Sequence, residues 1–235
     1  MILEMLKCVL TGFALLLATA VEAARPMVTD DARVVEARSC QLETWTRFNR
    51  RGSEYWALPG CNVGADTEVT LGGARGDSER GTATSDVVFQ AKHLLRPLPP
   101  DGWGAAVALG QVKHPAIDQG GNLLGDFYVN VPVSLAFQGE RRVLHLNAGW
   151  LHDRAAGRER ATWGLGSEAW LDDRAQLIAE GYGQSGERPY YQGGLRFWLL
   201  PQRLQIDTTL GGQAGGGDVR WVSVGFRLLS PAFLP

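Results

Sequence analysis

The sequence predicts an all-β fold, a twelve-stranded antiparallel transmembrane β-barrel of the outer-membrane type. Three observations predict it. Apolar and polar residues alternate with period two in twelve successive stretches. Connections after even stretches are short, while those after stretches three, five, seven and eleven are longer and rich in Gly and charge. An export signal precedes a chain with no apolar run of about 18 residues, so only a closed barrel can hold it in a membrane.

The first element is that signal, residues 1–23. Lys7 precedes an apolar run from Val9 to Ala20, and Val21-Glu22-Ala23 gives a small-x-small cleavage site. The run is too short to span a bilayer. Cys8 sits ahead of the apolar run, which is the wrong place for a lipoprotein cysteine. Residues 24–38 are polar, lack a clear period and contain TDDAR. They read as a periplasmic lead-in or a partial plug, ahead of a barrel domain over 39–235.

The strand stretches follow at 40–48, 54–60, 67–74, 85–95, 103–113, 126–137, 143–153, 161–171, 175–183, 190–199, 203–211 and 219–229. The central pair is the clearest. Phe127, Val129, Val131, Val133, Leu135 and Phe137 share one face, and Tyr128, Asn130, Pro132, Ser134 and Ala136 share the other. Its partner sets Leu144, Leu146, Ala148 and Trp150 against His145, Asn147 and Gly149. In the last stretch Val222, Val224, Phe226 and Leu228 alternate with Trp221, Ser223, Gly225 and Arg227, and Leu195, Phe197 and Leu199 alternate with Gly194, Arg196 and Trp198. A soluble β-protein would turn the apolar face to a core. Repetition of the pattern twelve times, with Trp45, Trp56, Trp103, Trp150, Trp163, Trp198 and Trp221 near strand ends, favours lipid outside and aromatic girdles at the interfaces.

The connections CNVGAD, RPLPPDG, QGERR, DD and PQ are compact, whereas RGDSERGTAT, HPAIDQGGNLLG, RAAGRER and GQAGGGD are longer. An even strand count with this sorting places both ends of the barrel in the periplasm. Cys40 and Cys61 stand at near-equal distances from the turn at Asn49-Arg50-Arg51-Gly52, so a hairpin there brings them face to face. In an exported chain this predicts a disulfide; free or metal-bound thiols are the alternative, and no CxxC or His/Cys cluster supports a metal.

The polar face supplies the candidate lumen lining: Glu43, Lys92, Asn130, His145, Asn147, Glu168, Glu180, Arg196, Asp207 and Arg227, with Arg47, Glu68 and Gln90 beside them. Glu168, Glu180, Arg196, Asp207 and Arg227 fall on five consecutive strands, so opposite charges can pair across the wall. Such a network either fills the lumen or selects a solute in a narrow pore. Twelve strands lie between the about eight that side chains can fill and the sixteen or more of open porins. A formal charge of -2 argues against nucleic acid or any polyanion as partner.

The segments TDDAR, CQLETW, EYWALPGCN, EVTLGGAR, FQAKHLLRPL, DGWG, NLLGDFYVNVPVS, VLHLNAGWLHDR, TWGLGSE, RPYYQGGLRFWLLPQRLQID and VGFRLLSPAFLP resemble a family of uncharacterised proteobacterial outer-membrane proteins, itself similar to the barrels called meta-pathway phenol degradation (MetA-type) proteins. The resemblance spans essentially the whole exported chain. It implies the barrel fold and an outer-membrane location, and carries over no catalytic residue. One departure is the chain's continuation past Phe226 to Pro235, which leaves open whether Phe226 or Phe233 is read by the barrel-assembly machinery.

Function is read from these features in three classes. The first is a narrow channel or transporter for a small, apolar or aromatic solute. The second is a closed structural or surface-interaction barrel, and the third an outer-membrane lipid-modifying enzyme. The third is disfavoured: there is no GxSxG, Asn147 stands where a wall serine would follow His145, and His93 and His152 have no nucleophile beside them. The RGD at Arg75 to Asp77 is too short to signify adhesion. No cofactor is expected. The expected partners are outer-membrane lipid and lipopolysaccharide, the assembly machinery and a small-molecule solute.

Overall fold

The structure, a computed structural model, describes residues 27–78, 81–116, 124–215 and 219–234. The signal peptide expected over residues 1–23 lies outside them. Twelve strands make up the described barrel: β1 (Cys40–Asn49), β2 (Gly52–Asn62), β3 (Thr67–Ser78), β4 (Gly81–Arg96), β5 (Gly102–Lys113), β6 (Asp126–Phe137), β7 (Arg142–Asp153), β8 (Arg158–Trp170), β9 (Ala175–Gln184), β10 (Tyr190–Leu200), β11 (Leu204–Gln213) and β12 (Arg220–Leu229). Each pairs antiparallel with its chain neighbours, and β1 closes on β12, for example through Glu43 against Arg227. Closure leaves no free edge, so strand N–H and C=O groups find partners around the ring.

Alternation sets the two faces. Leu42, Phe48, Leu71, Phe89, Leu109, Leu146, Leu165, Leu195 and Phe226 point outward and are exposed, while Glu43, Lys92, His145, Arg196 and Asp207 are buried. Among the described residues more polar and charged side chains are buried than apolar ones, the reverse of a water-soluble core.

Two expectations change. The stretch read as a long loop after the third strand is mostly ladder: β3 runs to Ser78 and β4 starts at Gly81, with Arg75 paired to Thr84 and Gly76 to Ala83. Likewise β8 starts at Arg158, inside the predicted RAAGRER loop. Backbone pairing needs no apolar side chains, so strands continue past the apolar belt as polar ribbons.

The tryptophans also divide. Trp103, Trp150 and Trp163 are exposed outside, but Trp45, Trp198 and Trp221 are buried and Trp56 packs on Trp45, so these four are not outer girdle residues. Parity decides this. Trp45 lies two residues from both Glu43 and Arg47 and shares their inward face.

The rim carrying Cys40 and Leu229 is here the terminal rim, and the rim of Asn49 and Gly52 the far rim. Cys40 pairs with Cys61 across β1 and β2 in a disulfide, as the mirror placement predicts. Turns at the terminal rim are tight. Gln138, Gly139 and Glu140 all have positive φ, and Asp101 accepts the Gly139 N–H with both carboxylate oxygens.

Candidate functional site

Residues 27–39 run inside the lumen, from the terminal rim to about its middle. They form no strand, so their backbone groups need other partners. Wall side chains supply them. Glu180 accepts the N–H of Val28 at 2.8 Å and of Thr29 at 2.6 Å. Asn147 accepts the Asp30 N–H at 2.8 Å and donates its Nδ2 to the Asp30 carbonyl at 2.7 Å. Ser134 Oγ accepts the Ala32 N–H at 2.8 Å, Glu68 accepts that of Val35 at 2.9 Å, and Asn62 Nδ2 donates to the Val35 carbonyl at 2.8 Å.

The charges of TDDAR are matched as well. Lys92 Nζ donates to Asp30 at 2.9 Å and Asp31 at 3.0 Å, and Arg33 Nη2 donates to Glu140 at 3.0 Å. Met27, Ala32, Val34 and Val35 are buried. Gly166 makes room for the tip: a Cβ there would come within 2.6 Å of Met27 Cε and 3.3 Å of Thr29 Cβ.

Around and below this segment the lumen is filled by polar contacts. Arg196, fully buried, donates Nη1 to Glu168 and Nε to Asp207 at 2.9 Å, with Gln176 beside it. Arg227 donates Nε to Gln41 at 2.7 Å and lies 3.8 Å from Glu43. A cavity of only about 30 Å³ remains here, bordered by Asp31, Glu43, Glu68, Lys92 and His145. That is room for about one water.

The far half differs. A cavity of about 560 Å³ is walled by Trp45, Trp56, Tyr128, Tyr182 and Tyr190 together with Leu58, Val88, Val112 and Leu151, and floored by Met27 to Asp30. Trp45 and Trp56 stack with centroids 5.2 Å apart, and Tyr182 and Tyr190 stack at 5.6 Å. Trp221 joins Tyr190 at 6.2 Å, with Arg47 over its ring at 4.9 Å. Gly211 is where Trp221 lies flat, since a Cβ there would sit 2.3 Å from the indole. Aromatic rings therefore line one side of the interior from β9 round to β2.

The structure places all ten candidate lining residues on the inner face, nine of them in three groups, with His145 beside Ser134. Glu168, Arg196 and Asp207 come together as one ion-pair cluster, and Glu43 stands by Arg227. Lys92, Asn147 and Glu180 hold the N-terminal segment, and Asn130 braces Asn147 through Nδ2 at 2.9 Å. Glu180 bonds, besides the two backbone N–H groups, the side chain of Gln192, which donates Nε2, while Arg196 is held by Glu168 and Asp207.

Sequence reasoning missed Ser134, which lies opposite His145 in the β6–β7 register and 2.8 Å from its Nδ1. Cross-strand register is the signal that reveals it. His145 Nε2 is 3.7 Å from Glu168, beyond hydrogen-bond reach, and Glu168 is already held by Arg196. Ser134 and His145 are fully buried, and Ser134 receives the Ala32 N–H. The row thus braces the inner segment.

A closed barrel with an apolar exterior and a polar, partly aromatic lumen has the architecture of outer-membrane porins and channels. The fold is similar to that of the KdgM porin (TM-score 0.61, 7% identity, covering 80% of this chain and 98% of that one). It is also similar to the NanC porin (0.55, 8%, 81% and 98%) and to an outer membrane channel from Pseudomonas putida F1 (0.51, 11%, 85% and 98%). The chain belongs to the family described as Uncharacterised conserved protein UCP029691, whose family model matches residues 12–229. No curated protein matches it.

Proposed function

We propose that this protein is an outer-membrane channel for a small solute with an apolar or aromatic face, and that residues 27–39 are a plug entering from the periplasmic rim. One observation carries the reading: the plug tip, Met27 to Asp30, forms the floor of an aromatic-walled vestibule of about 560 Å³. A lumen that only had to be filled would gain nothing from such a space, whereas flat aromatic surfaces bind rings and sugar faces by stacking. The porin-like fold supports passage, and the aromatic walls of the vestibule support a solute with an apolar or aromatic face.

The exterior supports the membrane location. Trp103 and Phe137 lie near the terminal rim and Phe48, Tyr55, Phe127, Trp150 and Trp163 toward the far rim, as two belts flanking an apolar band. Lipid and lipopolysaccharide are the contacts such a surface takes. Phe226 is an outward aromatic within β12 and suits the assembly machinery, whereas Phe233 lies beyond the strand.

The second reading is a closed structural barrel, favoured by the filled terminal half with its cavity of about 30 Å³. Liposome swelling separates the two. With the plug deleted, phenyl β-D-glucoside should enter faster than glucose, and Trp45→Ala with Trp56→Ala should remove that preference. Entry of neither solute through a folded, plug-deleted barrel would support the closed reading. A lipid-modifying enzyme requires hydrolysis of detergent-dispersed phospholipid that is lost in His145→Ala.

A further inference from the structure

The two ends of the plug are held by different kinds of interaction. The tip is held by side chains: Glu180, Asn147 and Lys92 bond residues 28–31, and the same stretch borders the vestibule above and the small cavity below. Val28, Thr29, Asp30 and Asn147 border the vestibule and Lys92 the small cavity, so a bound solute can reach that part of the latch. Glu180 and the bonds of Ser134, Glu140, Glu68 and Asn62 to residues 32–35 complete the side-chain hold from buried and half-buried positions.

The root is held by backbone and by a covalent bond. Arg38, at φ 67°, is the corner where the chain leaves the lumen and turns into β1. On one side β2 grips it, with the Asn62 N–H donating to the Ser39 carbonyl at 3.0 Å and Cys61 bonded to Cys40. On the other side the tail beyond β12 crosses the same corner. The Ser230 N–H donates to the Cys40 carbonyl at 2.9 Å, and Ser230 Oγ accepts the Cys40 N–H at 2.9 Å. The N–H groups of Phe233 and Leu234 both donate to the Arg38 carbonyl, at 2.9 and 3.0 Å, and Arg38 Nε donates back to the Leu234 carbonyl at 3.1 Å.

From this asymmetry we infer that the plug is a hinged gate: its tip swings off the wall about Arg38, while the tail strap of residues 230–234 and the Cys40–Cys61 staple retain its root. The inference rests on the channel reading and adds its regulation. Because residues 27–30 are both the vestibule floor and the latched tip, a solute in the vestibule that competes for Asn147 binds the open state better and shifts the gate toward it. The chain itself tethers the tip to β1, and retention of the root keeps it aimed at its wall partners, which speeds reclosing.

The test locks the tip. A Cβ on Gly166 would lie 3.3 Å from Thr29 Cβ, close to the about 3.5–4.5 Å spacing of a disulfide. The double variant Thr29→Cys with Gly166→Cys is made with Cys40→Ser and Cys61→Ser, so that dithiothreitol acts on the engineered bridge, and the Cys40→Ser, Cys61→Ser protein alone serves as the control for loss of the staple. In planar bilayers the oxidised form should show about tenfold fewer open events than the reduced form, a shift equal to about 1.4 kcal/mol. A chain ending at Ser230, which removes both bonds to the Arg38 carbonyl, should lengthen open events by a similar factor. Arg38→Asn keeps the left-handed corner and that carbonyl and loses only the Nε bond, so it should change closing less. Equal opening of oxidised and reduced forms overturns the hinge, and so does wild-type closing in the chain ending at Ser230. A conducting plug-deleted barrel alongside those negatives leaves the channel standing without the hinge. A folded but silent plug-deleted barrel overturns the channel and the hinge together.

Discussion

Glu180 on β9 takes the backbone N–H of Thr29 at 2.6 Å, although the two residues are 151 positions apart in the chain. The same carboxylate takes the Val28 N–H, so one wall side chain holds the tip by two charge-assisted bonds. Such bonds contribute about 1.5–3 kcal/mol each. Glu180→Gln should therefore raise the frequency of open events in planar bilayers while the barrel keeps its heat-modifiable gel mobility. Unchanged conductance in a folded variant would show that the tip latch does not depend on this carboxylate.

Lys92 carries the charge balance of the plug, since both Asp30 and Asp31 rest on its ammonium. Lys92→Met leaves two carboxylates without that cation, and breaking a buried pair costs about 3–5 kcal/mol. Undocking the tip relieves this cost, so the expected outcome is faster deuterium exchange at the amides of residues 28–35 with the strand amides unaffected. Equal slowing or speeding across the whole barrel would contradict it.

Arg196 belongs to the wall, and its partner Glu168 also lies 4.0 Å from Arg33 of the inner segment. It bonds Glu168 and Asp207, and its side chain is 1% exposed. Arg196→Met should lower the temperature of the gel-mobility transition, reflecting a loss of about 3–5 kcal/mol, and Arg196→Met with Asp207→Asn should recover part of it. A transition temperature equal to wild type would show that the cluster is dispensable to the barrel.

How much of this was legible in the sequence follows from where each bond begins. Alternation in β6 and β7 exposes both faces directly, and the placement of Cys40 and Cys61 about one turn encodes their register. The Glu168–Arg196–Asp207 cluster is legible because like-parity residues on nearby strands share the lumen. The partner of Glu180 is not, because it is a backbone amide, which every residue carries and no letter marks. Trp45, Trp56 and Trp221 mislead when read by their position near strand ends. Read by parity with Glu43, Arg47 and Ser223, they turn inward. RGDSERGTAT and RAAGRER look like loops by composition, yet much of each continues the ladder.

Asp172, exposed in the turn between β8 and β9, accepts the N–H groups of Arg174 and Ala175, which holds its carboxyl below the usual aspartate value. A carboxyl lowered on folding adds stability that is complete above its unfolded pKa, about 3.9, and is lost as pH falls through the folded value. The difference in unfolding temperature between wild type and Asp172→Asn should thus be present at neutral pH and shrink as the pH falls below the unfolded value of about 3.9. A difference that persists unchanged in acid would assign the effect to the turn's shape and not to the charge.

The most direct measurement is single-channel conductance of the folded, plug-deleted barrel, lacking residues 27–37, beside the full-length protein in the same bilayer system. Long, discrete conductance steps in the deleted form, with brief and infrequent events in the full-length protein, are the predicted result. A deleted barrel that shifts on heating like the wild type and yet passes no current would contradict the account, leaving a structural barrel whose vestibule leads nowhere.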